Sequence, residues 1–418
     1  MQVIAARTPW TRMCRVAVVL AALSSLVVAA PPARAVNDRA EIIIAFVEDA
    51  TPWPPAARTA FRYAADRWET MIYSSFTIKI RADWRPMAEG YLGSAAPNGS
   101  YHDVPGMPRA NTLYPIALAN QLVGFDLNGA AAEVDARFNA NLTNWDFGTD
   151  GNPDAGDFDF VTVVMHELGH GLGFGGFMNY NPTTDRGFWT DPSDPNAPPG
   201  IYDRFTTNRT DVLLVNYAQN SVALGNALTS NAVYWTGPRG TAYNGAERPR
   251  MYAPTTWQGG SSYGHLNEST YPPNTRNGLM TPQGSIGEVM HNPGPIVLGI
   301  FQDMGWPLGI DGRATVARTT ILRATVSDSS ITDDQTVTIR GALTRGPDGA
   351  PVVNRTVKFF KRLVGATQWT LVTTRTTNEN GRVSLLQAPN ADTQYRLLHS
   401  GSGTTDGDYS RTVTVNVA

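Results

Sequence analysis

The stretch His166-Glu-Leu-Gly-His-Gly-Leu-Gly-Phe-Gly-Gly-Phe177 decides how the rest of this chain is read. It closes an apolar run, Phe160 to Leu172, that predicts a helix, with Asp157 or Asp159 available to cap its start. On a helix, His166 and His170 lie about one turn apart on one face, so both imidazoles reach a single tetrahedral cation. Glu167 flanks the open side, placed to accept a proton from water rather than to bind metal. Gly169, Gly171 and Gly173 are poor helix formers, each costing ~1 kcal/mol relative to alanine, so their density points to close packing or a sharp exit. Together these residues predict one catalytic zinc ion.

Upstream, Glu41–Val47 reads as an apolar strand, Pro54-Pro55 as a helix start, and Phe61, Ala65, Trp68 and Ile72 as the stripe of that helix. Phe76–Arg81 and Ala132–Phe138 alternate as strands do. Ala132–Phe138 is expected either at a sheet edge, where a peptide substrate adds by main-chain hydrogen bonds, or inside the sheet. Between them, Tyr91–Gly129 holds too much Gly, Pro and Asn for long helices and reads as loops with short strands. Downstream, Gly175–Gly294 is mostly turn formers, and Pro295–Met304 predicts a closing helix stopped by Gly305-Trp306-Pro307. Six short alternating runs between Thr336 and Val417, parted by turns such as Pro347-Asp348-Gly349, predict an all-β sandwich of about seven strands.

Residues 1–35 predict a signal peptide: Arg7, Arg12 and Arg15 precede the apolar run Val16–Ala30, and Ala33-Arg34-Ala35 offers a cleavage site. Its removal takes away four Arg and no acid, so the net charge of −3 becomes −7, which disfavours nucleic-acid binding. No later run is apolar enough to span a membrane, so a secreted, extracellular protein is expected. The one cysteine, Cys14, falls inside the leader, leaving no disulfide, no thiol nucleophile and no cysteine ligand. A chain of 418 residues fits two domains.

HELGHGLGF resembles the extended zinc motif of the metzincin metallopeptidases, H-E-x-x-H-x-x-G-x-x-H with a methionine turn downstream. It departs from that pattern at Gly176, where the third histidine would stand. The departure resembles the leishmanolysin-like branch, in which a long insertion separates the glycine from the third histidine. Of the six histidines, His166 and His170 are in the helix and His399 is in the C-terminal region, so His102, His265 and His291 remain, with Glu268 or Glu288 as carboxylate alternatives. The resemblance implies His265, in the polar loop Gly259–Glu268, as the third ligand. It also implies that Met280, in Leu279-Met-Thr-Pro282, forms the methionine turn as an apolar floor beneath the metal.

The expected architecture is α+β: a metzincin-like zincin catalytic domain at 36–309, then an immunoglobulin-like β-sandwich at 310–418 whose partner the sequence does not identify. The expected activity is that of a secreted zinc endopeptidase acting on proteins or peptides, with Glu167 as general base. The alternative is a non-catalytic secreted adhesin with a structural zinc site. Asp146, Asp150, Asp154 and Asp157 lie in a glycine-rich loop that reads either as solvated or as a ligand set for calcium.

Overall fold

The computed structural model describes residues 38–48, 51–190, 197–346, 348–402 and 405–418. The expected leader, residues 1–35, lies outside the described residues. The chain divides into two units: the first runs to Gly237 and resumes over Pro249–Gly312, and the second takes Pro238–Arg248 and Arg313–Ala418. The sequence suggested a division at 309/310. Nothing in its pattern separated Pro238–Arg248 from its surroundings. Among the described residues, no helix is long and apolar enough to cross a membrane.

The first unit opens strand, helix, strand. Strand β1 (Glu41–Val47) leads to helix α1 (Pro55–Met71), which has proline in its first turn, where no donor is lost, and buries Phe61, Ala65 and Trp68. Strand β2 (Thr77–Arg85) follows, then β3 (Gly93–Pro97) and β4 (Val134–Asn139). They form one sheet in the order β1-β2-β4-β3. The first three strands are parallel, with Ile44 beside Ile80 and Ala82 beside Ala136, whereas β3 runs antiparallel to β4 with Ala95 beside Ala136. One edge is therefore β3, a short strand from the segment read as loops with short strands, and Ala132–Phe138 supplies an inner strand, the second of its two expected positions. Its alternating pattern is common to both positions, so periodicity alone could not separate them.

Helix α2 (Ile116–Val123) leads towards helix α3 (Phe160–Gly171), all twelve of whose residues are buried. Of the two candidate caps, Asp159 is the one used, its side chain accepting the Thr162 amide at 2.6 Å. The Trp68 indole on α1 donates to the Met165 carbonyl at 2.9 Å. Edge-on ring contacts, Phe61–Phe138 at 5.5 Å and Phe138–Phe160 at 5.2 Å, carry the packing from α1 through the sheet to α3. The helix leaves through Gly173, whose φ of +111° is closed to most side chains and whose absent Cβ would meet Pro115 Cγ at 2.8 Å. The closing helix spans Gly294–Met304 and stops at Gly305.

The second unit is β-rich. A three-stranded antiparallel sheet, Thr320–Val326, Val337–Arg345 and Arg382–Gln387, accompanies a six-stranded one built around Thr356–Leu363 and Thr393–His399. Ile339 and Leu343 from the first sheet and Phe359, Leu397 and Val415 from the second share one core. The six alternating runs are all strands. The additional ones are Thr320–Val326, where adjacent Ile321 and Leu322 mask the alternation, and two-residue strands at Ser330–Ile331 and Asp408–Tyr409.

Replacing Gly173 with alanine sets a Cβ against Pro115 at an unfavourable φ, so Gly173→Ala should cost about 1–3 kcal/mol of stability. The check is a lower denaturant midpoint at unchanged slope.

Candidate metal centre

The buried face of α3 carries His166 and His170, and the chain returns 95 residues after His170 to add His265. The three Nε2 atoms stand 3.0, 3.1 and 3.2 Å from one another. Each Nδ1 bonds a backbone carbonyl instead: His166 to Leu279 at 2.6 Å, His170 to Phe174 at 2.7 Å and His265 to Ser261 at 2.7 Å. A carbonyl only accepts, so each Nδ1 carries the proton and each neutral Nε2 presents a lone pair. Burial disfavours the charged form and pushes His166 down to about 4, keeping that ring neutral. Three neutral acceptors converging in a dry interior repel one another unless a cation lies between them. Tetrahedral imidazole bonds of 2.0–2.1 Å place ligand nitrogens ~3.3 Å apart, close to the spacing here. The residues present fit a zinc-sized cation.

Glu167 is fully buried beneath β3, and neither carboxylate oxygen has a hydrogen-bond partner among the described residues. A Cβ on Gly93 would lie 3.2 Å from its Cγ, so the edge strand covers it closely. Burial pushes Glu167 up to about 8; the Ala95 amide opposes this in part without reaching hydrogen-bond geometry. A buried polar group left unpaired is costly, and this one is the residue next to the first imidazole.

Leu279 and Met280 tie the two sources of imidazole together. The Leu279 carbonyl accepts the His166 Nδ1–H hydrogen bond, and the Met280 carbonyl accepts the Leu266 amide at 2.8 Å. The Met280 side chain is fully buried against Gly169, where a Cβ would meet its sulfur at 2.7 Å. Gly169 is thus bare because Met280 approaches it between the two helical histidines.

The segment around His265 is not the flexible polar loop its composition suggested. Ser261, Ser262, Tyr263, His265 and Leu266 are all buried. Holding them is a network that sequence reasoning did not find. The Tyr263 hydroxyl donates to Asp203 Oδ1 at 2.7 Å and lies 2.9 Å from the Thr206 hydroxyl. Asp203 Oδ2 accepts the Gly200 amide at 2.8 Å and the Phe177 amide at 3.2 Å. Burial, with the Asp203 charge adding to it, holds Tyr263 well above its ordinary range, so it remains a donor. Tyr263 adopts φ +73°, an uncommon conformation for a bulky residue. A Cβ at Gly176 would overlap both Asp203 Oδ1 and the Tyr263 ring. Gly176 therefore stands where a ligand was expected because the loop that delivers His265 packs onto that spot. The bare glycine was the only trace of this network in the sequence.

The other candidates lie elsewhere. His291 pairs with Asp159 Oδ1 at 2.9 Å, His102 with Asp103 at 2.8 Å, and His399 sits in the second unit beside Thr356 and Thr405. Glu268 and Glu288 are not in the cluster with the three imidazoles. Asp146, Asp154 and Asp157 form a second group with carboxylate oxygens within 4.8 Å of one another, and Asp150 is outside it. That group is partly exposed, and Asp146 Oδ1 already accepts the Gly148 amide at 2.7 Å.

A family model described as SPBPB7E8-like matches residues 75–235, which takes in His166, Glu167, His170 and Asp203 and ends before His265. No curated protein matches the chain. Among solved structures, a superoxide reductase (neelaredoxin) from Ignicoccus hospitalis is 9% identical over 24% of this chain and 80% of its own, with a TM-score of 0.18. The D00-D0 domain of intimin is 16% identical over 22% of this chain and 45% of its own, with a TM-score of 0.17. Likenesses this slight say nothing of this chain's fold or chemistry.

Two outcomes follow from the geometry. Adding zinc to chelator-treated protein should raise the thermal midpoint, with each tenfold of free zinc above Kd adding ~1.4 kcal/mol, and His265→Ala should abolish the response in a thermal scan. Tyr263→Phe removes one hydroxyl that bonds Asp203 and Thr206 rather than an imidazole, yet it should weaken zinc binding roughly 10–100-fold in a competitive titration. Its far-ultraviolet spectrum should match that of the wild type.

Proposed function

We propose that this chain is a secreted zinc-dependent endopeptidase, with zinc held by the Nε2 atoms of His166, His170 and His265 and Glu167 as general base. The observation that carries this is the pairing of three converged lone pairs with a buried, unpartnered carboxylate beside them. A structural zinc site closes its fourth position with another ligand and has no use for such a group. Zinc, when bound, supplies a Lewis acid that lowers the pKa of water towards ~7 and polarises a carbonyl.

The protein's own residues do the rest. Glu167, whose ionised form a cation on the adjoining imidazoles would favour, takes a proton from the attacking water as the oxygen adds to the scissile carbonyl carbon. It returns that proton to the amide nitrogen as the C–N bond breaks, so one water is consumed and Glu167 is regenerated. The outer edge of β3, which pairs with no strand among the described residues, passes over Glu167 and suits an extended peptide, which would align by main-chain hydrogen bonds. The buried setting limits competing water at the carboxylate.

The finer fold belongs to the same proposal. The first unit reads as metzincin-like of the leishmanolysin-like branch, with Met280 as the methionine turn, and the second as an immunoglobulin-like sandwich. Residues 1–35 are the expected secretory leader.

Glu167→Gln removes no ligand, so it should keep about one zinc per chain by elemental analysis. It should lose at least ~100-fold in peptide or casein hydrolysis. Hydrolysis at the wild-type rate by this variant, or none by zinc-loaded wild type, overturns the proposal.

A further inference from the structure

The second unit is basic, although the chain as a whole is acidic. Between Arg313 and Ala418 stand 13 Lys and Arg against 8 Asp and Glu, whereas the net charge of the whole chain is −3. The strands Thr356–Leu363, Thr370–Thr376 and Thr393–His399 hold five Lys and Arg between them and no acid. Val357, Phe359, Tyr395 and Leu397 face the core, so the alternate positions point outward. There Lys358 stands beside Leu398, Phe360 beside Arg396 and Arg362 beside Gln394. On this outer face rings and cations alternate. The Arg362 guanidinium lies over the Trp369 ring at 4.5 Å, and the Arg396 guanidinium lies over the same ring at 4.7 Å and over Tyr409 at 4.5 Å. Arg362 donates Nε to Gln394 Oε1 at 2.8 Å, and the buried Arg396 Nε has no hydrogen-bond partner. Among the described residues, neither arginine nor Lys358 forms an ion pair. Asp408, next to Tyr409, is turned to the other sheet, where its Oδ2 accepts the Leu322 amide at 2.7 Å.

We infer that this face binds a sulfated polysaccharide, whose sulfate groups pair with Arg362, Arg396 and Lys358. The inference is independent of the peptidase reading. A guanidinium presents a planar fork of N–H donors that meets two oxygens of an oxyanion at once, and such charge-assisted bonds are about twice as strong as neutral ones. Contact with Trp369 and Tyr409 fixes the forks before a ligand arrives, which lowers the ordering cost of binding. That pre-organisation decides the class of partner. A fluid anionic bilayer moves its headgroups to meet any set of cations and gains little from forks held in place, whereas a polymer with charges at set intervals gains most. Nucleic acid stacks its bases on open rings, but Trp369 and Tyr409 already carry guanidiniums. The rest of the chain is acidic and repels a polyanion, so this face is where one can settle.

The test titrates the full chain with heparin fragments in a calorimeter at ~0.15 M salt. Expected are saturable binding that weakens as salt rises and no binding of the same fragments after desulfation. Arg362→Gln and Lys358→Gln should each weaken binding at least ~fivefold. Arg340, an exposed cation of the three-stranded sheet, supplies the control: Arg340→Gln removes the same charge and should change affinity less than about twofold. Lys358 has no ion pair to lose, so Lys358→Gln with a normal thermal midpoint stays informative even where loss of the Arg362–Trp369 contact loosens the fold. Binding of phosphatidylserine vesicles, oligothymidylate or polyglutamate as tight as that of heparin, with the same loss in Lys358→Gln, overturns the polysaccharide assignment. An equal loss in Arg340→Gln traces the affinity to net charge and overturns the role of this face. Heparin that does not bind, or binding that survives desulfation, overturns the whole inference.

Discussion

Three hydrogen bonds from imidazole Nδ1 atoms to the carbonyls of Leu279, Phe174 and Ser261 are the constraint on which the rest of the first unit depends. They set which nitrogen carries the proton, and so turn three side chains into acceptors aimed at one point. Each bond needs a carbonyl that is not used by a helix or sheet. The molecule obtains them from irregular backbone: the exit of α3, the turn before Met280 and the segment before His265. The regular elements hold these irregular ones in register. Helix α3 is buried on every side, α1 is bonded to its middle through Trp68, and the sheet closes over it.

The delivery of the third imidazole shows how a polar network can position chemistry without touching it. Asp203 gathers the Tyr263 hydroxyl and two backbone amides inside the protein, and burial makes each of these bonds expensive to leave unmade. Tyr263 lies two residues before His265, so fixing its ring fixes the backbone from which the imidazole projects. A side chain at Gly176 would displace this arrangement, which makes the smallest residue of the motif as constraining as the histidines.

Legibility followed periodicity and local chemistry. The strand–helix–strand opening, the helix bearing His166 and His170, its aspartate cap and the six C-terminal runs all rest on neighbouring residues, and these stood in the sequence. The third imidazole could be narrowed to His102, His265 and His291 by counting, but His265 was singled out only through resemblance to a family. Whether Ala132–Phe138 lay at an edge or inside the sheet stayed open because Gly93–Pro97, with two alanines and a proline, has no apolar alternation to announce it as the edge. The polarity of Ser261 and Ser262 pointed to solvent, yet both are buried, because the bonds that satisfy such a segment come from chain far away in sequence. Asp203 and Tyr263 were invisible for the same reason.

The unequal origins of the three imidazoles have a dynamic consequence. Two sit on one buried helix, while the third belongs to a segment anchored through the Tyr252 amide to the His265 carbonyl at 2.8 Å and through Leu266 to Met280. Sub-global opening of that segment withdraws one imidazole and leaves the other pair in place. A cation held by all three would then be released stepwise, through a state in which only His166 and His170 hold it, well before cooperative unfolding. Its exchange rate and the amide hydrogen exchange of Tyr252 and Leu266 would report the same opening event, making the metal a clock for a single foldon of the first unit.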